Sequence, residues 1–96
     1  MEFTNYYATA LERTHAITIL LVLLRDGEMN KSILTSKITT NNQSIKSRVD
    51  ELIRSGLISE TVADKHPYPH SIDLTPLGRE VAEHLQTIEE LMQQRG

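Results

Sequence analysis

Asn30-Lys31-Ser32-Ile33-Leu34-Thr35-Ser36-Lys37-Ile38-Thr39-Thr40-Asn41-Asn42-Gln43-Ser44-Ile45-Lys46-Ser47-Arg48-Val49-Asp50-Glu51-Leu52-Ile53-Arg54-Ser55-Gly56-Leu57-Ile58 contains two short helices and the turn between them. In the first, Lys31 to Ile38, the apolar positions Ile33, Leu34 and Ile38 follow helical spacing. Thr39-Thr40-Asn41-Asn42 then offers four side chains that bond their own backbone, so a turn ending in an N-cap is expected. The second helix covers about 42–55. Ile45, Val49, Leu52 and Ile53 fall on one face, and Gln43, Ser47, Asp50 and Arg54 project from the other. Ser55-Gly56 closes it, because glycine tolerates the left-handed backbone that ends a helix, and Leu57-Ile58 returns the chain to the core.

Working outward toward the C-terminus, Ile58 to Ala63 and His70 to Leu74 have the β-branched content of two short strands flanking a proline-bearing loop, a hairpin over about 58–74. Thr75-Pro76 sets a capping hydroxyl before a proline at the first helical position, which predicts a sharp start to a last helix over 76–96. Toward the N-terminus, Ile17 to Leu24 is apolar apart from Thr18 and too short to span a bilayer. It is expected to be a buried helix.

This order resembles the winged-helix transcriptional regulators of prokaryotes, in particular the HxlR-like, ArsR-like and small archaeal winged-helix groups. The resemblance rests on Ile19 to Gly27, on Val49 to Ile58 and on Ile72-Asp73-Leu74-Thr75-Pro76-Leu77-Gly78-Arg79, and covers roughly residues 14–85. The chain lacks the cysteine found near the start of many HxlR-like members. The fold so implied is mainly α with a small antiparallel β-hairpin, a winged helix-turn-helix with extra N- and C-terminal helices. The implied function is DNA-binding regulation of transcription.

A chain of 96 residues can bury one modest core, so residues 1–96 are read as a single domain. Absence of cysteine excludes disulfides, thiolate metal sites and thiol redox sensing. The opening Met1-Glu2-Phe3-Thr4-Asn5 has no basic segment ahead of an apolar one, so no signal peptide is expected and a cytoplasmic location is. No membrane partner is expected. The formal charge of −3 is unusual for a partner of DNA, whose affinity comes largely from neutralised phosphates. Distribution resolves this. Residues 31–65 hold six cations against four carboxylates, a net +2, while the remainder carries −5. The expected reading segment is thus the basic part of an acidic molecule.

Base contacts in a major groove need adaptable hydrogen-bonding side chains near a helix start, which singles out Gln43, Ser44, Ser47 and Arg48, with Asn42 at the helix start also counted among the DNA-binding residues. Lys46, flanking the apolar stripe, is better suited to a phosphate. Asp50 and Glu51 would repel the duplex unless one accepts from a cytosine amino group or pairs with Arg54 or Lys46. At the wing tip, Lys65 is the candidate for flanking backbone or minor groove. His66 and His70 share that loop, but a four-residue spacing converges on a metal only in a helix, so no metal and no cofactor is expected.

The two ends suggest association. Leu77, Val81, Leu85, Ile88 and Met92, with Leu91 beside them, form a stripe longer than a small core needs. Phe3, Tyr6, Tyr7, Ala10 and Leu11 include most of the aromatic residues. Segments 1–13 and 76–96 are therefore expected to form a homodimer through Tyr6, Tyr7, Leu11, Leu85, Ile88, Leu91 and Met92, presenting two recognition helices to successive grooves. Any small-molecule or protein effector would occupy a pocket at that interface or compete for it. His15 and His84 are read as packing or surface residues. Scattered Ser, His and Asp, without a nucleophile turn, a phosphate loop or paired metal ligands, exclude an enzyme reading. Two alternatives stay open: a winged helix serving as a protein-interaction module, and an architectural DNA-binding protein with little sequence preference.

Overall fold

Ala16, Ile19, Leu20, Val22 and Leu23 recur at helical steps, and their complete or near-complete burial makes helix α1 (Ala16–Asp26) the axis of the molecule. The computed structural model describes residues 6–38, 42–62 and 70–95. A 3₁₀ helix (Tyr7–Glu12) precedes α1, and α2 (Lys31–Ile38), α3 (Asn42–Arg54), strands β1 (Ile58–Val62) and β2 (His70–Leu74) and α4 (Pro76–Arg95) follow it. Helix α1 packs against the 3₁₀ helix, α2, α3, α4 and β2. Gly27, at φ +85°, closes α1 with its N–H donated to Leu23 O at 2.9 Å.

The two short helices lie where their sequence puts them. Asn30 caps α2: its Oδ1 accepts from Ile33 N–H at 2.8 Å. Leu34 is buried and Ile38 half-buried, but Ile33 is exposed, and the buried position next to Leu34 belongs to Thr35. Thr35 can enter the core because its hydroxyl donates to Lys31 O at 2.9 Å, leaving no orphaned polar atom. In α3, Ile45, Val49 and Leu52 are fully or almost fully buried. Its end is a Schellman motif: Leu57 N–H donates to Leu52 O at 3.0 Å and Gly56 N–H to Ile53 O at 3.0 Å, with Gly56 at φ +82°.

The hairpin is antiparallel with Ile58 opposite Leu74 and Val62 opposite His70. A third backbone partner comes from the α1–α2 connection, where Met29 and Ile72 exchange N–H···O bonds of 3.1 and 2.8 Å. Nothing in the sequence pattern marked Met29 as extended. Ile58, Ile72 and Leu74 point into the core, so the root of the hairpin is part of the packed unit.

The junction from α3 to α4 is a clamp. Thr75 N–H donates to Leu57 O (3.1 Å), the Thr75 hydroxyl donates to Gly56 O (2.6 Å), and the same hydroxyl oxygen accepts from Gly78 N–H (2.9 Å), capping α4. Gly78 is required by proximity: a Cβ there would stand 1.8 Å from Leu57 O. Beyond the clamp, Ala82 and Leu85 are buried and Val81 half-buried, whereas every described side chain from Gln86 onward is exposed. The first half of α4 belongs to the core, and the second half projects from it.

Candidate nucleic-acid interface

Helix α3 buries Ile45, Val49 and Leu52, which turns Gln43, Lys46, Ser47 and Asp50 outward at steps of three, one and three. All four are exposed, on one strip of a helix supported by α2 and flanked by the hairpin. Among the described residues no hydrogen bond or ion pair holds the Lys46 ammonium. Ser44 is half-buried at the edge of the strip. Lys65 and the side chain of Asn42 lie outside the described residues.

Arg48 is placed differently from the sequence expectation. Its side chain is only 12% exposed, its Nε donates to Thr14 O at 2.8 Å, and its Nη1 is hydrogen-bonded to Glu51 Oε1. Glu51 also meets Arg13 Nη2 at 3.2 Å. The guanidinium therefore joins α3 to the segment before α1 and stands off the exposed strip. The hydrogen bond from Arg48, aided by the charges of Arg13, Arg48 and Arg54, outweighs partial desolvation and holds the Glu51 carboxyl below its ordinary range.

Asp50 pairs with a cation from another element, not with Arg54 or Lys46 of its own helix. Lys31, at the start of α2, places Nζ 3.6 Å from Asp50 Oδ1 and 3.4 Å from Glu60 Oε2 on β1. His70 Nδ1 on β2 lies 2.9 Å from the same Glu60 oxygen. One ammonium thus spans α2, α3 and the hairpin root. On the far side of α2, Lys37 reaches Asp26 at 3.3 Å, and Asp26 also binds Arg25. Chiefly through the Arg25 hydrogen bond, its carboxyl is lowered to about 2.

The residues expected at an association surface divide into two groups. Tyr6, Tyr7, Ile88, Leu91 and Met92 are exposed, Tyr7 at 98% and Met92 at 66%. Leu11 and Leu85 pack on the core, because the 3₁₀ helix lies along α1 and the first half of α4 does the same. Between the 3₁₀ helix, the end of α3 and the start of α4 runs a groove of about 600 Å³, lined by Tyr7, Ala10, Leu11, Leu57, Leu77 and Val81 among others.

A helical core carrying the consecutive helices α2 and α3, followed by a two-stranded antiparallel wing and a long closing helix, defines a winged helix-turn-helix protein. The model of the HxlR-like helix-turn-helix family matches residues 13–96, and the chain belongs to that family. Of the groups the sequence resembles, HxlR-like is the one matched, despite the missing cysteine.

Solved structures agree in fold. The chain is similar to a possible HxlR family transcriptional factor from Thermoplasma volcanium, with TM-score 0.82 and 20% identity over 97% of this chain and 84% of that one. It is also similar to a transcriptional regulator homologue from Pyrococcus horikoshii, with TM-score 0.74 and 16% identity over 88% and 85%. A third similar structure is Streptococcus pneumoniae FabT in complex with DNA, with TM-score 0.74 and 13% identity over 85% of this chain and 57% of that one. No curated protein gives a significant sequence match. Family and fold are those of DNA-binding transcriptional regulators and not of enzymes. Among the described residues no helix is long and apolar enough to cross a membrane.

Proposed function

We propose that the chain is a sequence-specific regulator of transcription that binds double-stranded DNA as a homodimer, with α3 in the major groove and the wing on the flanking backbone or minor groove. The observation that carries this reading is the exposed strip of α3, where Gln43 and Ser47 offer adaptable hydrogen bonding and Lys46 a cation with no partner among the described residues. Asn42 and Ser44 join them at the helix start, Lys65 serves the wing, and Arg48 holds the helix in place. The similarity to FabT, whose solved structure is a DNA complex, supports the docking of this fold on duplex. In the dimer, Tyr6, Tyr7, Ile88, Leu91 and Met92 form the contact, and Leu11 and Leu85 shape it from beneath. Residues 1–13 and 76–96 are the association segments of a single DNA-binding domain acting in the cytoplasm. An effector would bind beside those segments.

The test is enrichment of fragmented source-genome DNA by the purified protein at physiological salt, with sequencing of what is retained. Recovery of one inverted-repeat motif is the expected result, since a two-fold dimer requires it. Uniform recovery would replace specific regulation by an architectural role, and no recovery would favour a protein-interaction module.

A further inference from the structure

Asp50 is the one acidic side chain on the exposed strip formed by Gln43, Lys46, Ser47 and Asp50, and a carboxylate aimed at a polyanion needs a reason. Bringing it to the duplex opposes the phosphate attraction that gives DNA binding its strength. Pairing within the protein is one way to neutralise it, and Lys31 does so only in part. Its ammonium stands 3.6 Å from Asp50 Oδ1, beyond hydrogen-bond length, and is shared with Glu60 at 3.4 Å. Lys31 is divided between two carboxylates, and His70 Nδ1 meets only Glu60, at 2.9 Å, so Asp50 has no counter-charge of its own in this cluster. Among the described residues Asp50 makes no hydrogen bond, and its side chain remains 54% exposed. It is thus oriented by a charge on α2 and unsaturated toward the outside.

An ionised carboxylate is acceptor-only. In the major groove guanine presents acceptors, thymine an acceptor and a methyl group, adenine a donor beside an acceptor, and cytosine an amino donor. We infer that Asp50 is a specificity-determining residue that accepts from the N4 amino group of a cytosine, with Lys31 as the residue that positions it. This deepens the proposed function and rests on it. A repulsive group on the reading strip also lowers binding to sequences that lack the matching donor, so discrimination comes as much from rejection as from the contact.

The experiment is selection from a randomised duplex library by wild type, Asp50→Ala, Asp50→Asn and Lys31→Met, followed by affinities on the selected site and on unrelated duplex. Wild type should prefer cytosine at one position of its motif by about tenfold over the other bases, near the low end of what a good base contact supplies. Asp50→Ala should lose that preference, keep the rest of the motif and bind unrelated duplex more tightly. Asp50→Asn should move the same position toward adenine, which asparagine contacts through N6 and N7. Lys31→Met should weaken the cytosine preference without changing its identity. A motif that Asp50→Ala leaves unaltered overturns the inference while sparing the proposed function. A wild type that enriches no motif overturns both. Circular dichroism of each variant separates loss of readout from loss of fold, and the Asp50 variants are expected to match wild type because Asp50 is exposed.

Discussion

Replacing Gly78 by alanine puts one methyl group where the backbone of Leu57 already stands. The added Cβ would lie 1.8 Å from the Leu57 carbonyl oxygen, 2.8 Å from its carbon and 3.1 Å from its Cα. None of these atoms can rotate away, and non-bonded heavy atoms rest about 3.5 Å or more apart. The first turn of α4 must therefore retreat by more than an ångström. Retreat stretches the bonds that join the elements, Thr75 N–H to Leu57 O at 3.1 Å and Thr75 hydroxyl to Gly56 O at 2.6 Å. Overpacking costs about 1–3 kcal/mol and each weakened hydrogen bond about 0.5–1.5 kcal/mol. Alanine's helix propensity returns about 1 kcal/mol at most. The expected net loss is about 1–5 kcal/mol, and its midpoint near 3 kcal/mol lowers the melting temperature of a domain of this size by roughly 12–24 °C. Thermal melts followed by circular dichroism measure it directly, with Thr75→Ser, which keeps the hydroxyl, expected to melt near wild type. A Gly78→Ala variant melting at or above wild type would show that helix propensity governs this position and that the close approach to Leu57 constrains nothing.

Lys46→Ala should reduce the salt dependence of DNA binding by about one released counterion while leaving the melting temperature unchanged, and an unaltered slope would remove Lys46 from the phosphate contacts. Glu51, whose folded pKa is depressed below 4.5, stabilises the fold above that pH and loses its contribution as pH falls through the lower folded value. Glu51→Gln should consequently melt below wild type at pH 7, with the gap narrowing as the pH is taken down through the acid range; a gap that does not change with pH would show that the Arg13 and Arg48 pairs carry no stability. Ile88→Asp with Leu91→Asp, both at exposed positions of α4, should yield folded monomers by light scattering, and a persistent dimer would place the interface elsewhere.

Local signals in the sequence accounted for the elements because those signals act over a few residues. Gly56 closes α3, Thr75-Pro76 opens α4, and the apolar steps of Ile45, Val49 and Leu52 bury one face, all within the reach of neighbouring turns. The coupled pattern of Gly56-Leu57 and Leu74-Thr75-x-x-Gly78 has a single cause, since the carbonyls of Gly56 and Leu57 are what Thr75 binds and what Gly78 makes room for. Partners distant in the chain were illegible. Arg48 was expected on the reading strip because its chemistry suits DNA, yet its hydrogen bond to Thr14 O spans 34 positions. For Asp50 the helix itself offered Arg54 and Lys46 as possible partners, and the ion pair it makes is with Lys31 from α2. The apolar stripe of α4 gave no sign that the core ends at Leu85, because heptad spacing continues through Ile88 and Met92 after the supporting elements have stopped. Lys65 and the rest of the 63–69 wing tip lie outside the described residues.

The clamp between Leu57, Thr75 and Gly78 also makes α4 a lever with a fixed root. From Gly78 to Met92 the helix extends about 20 Å, so a tilt of about 10° at the root carries its tip through roughly 4 Å. The converse holds for force: a small load on Met92 acts with a long arm on the backbone of Leu57, whose N–H closes the Schellman turn that ends α3. Whatever rests on the projecting half of α4 therefore acts mechanically on the exit of the helix that carries Gln43, Lys46, Ser47 and Asp50.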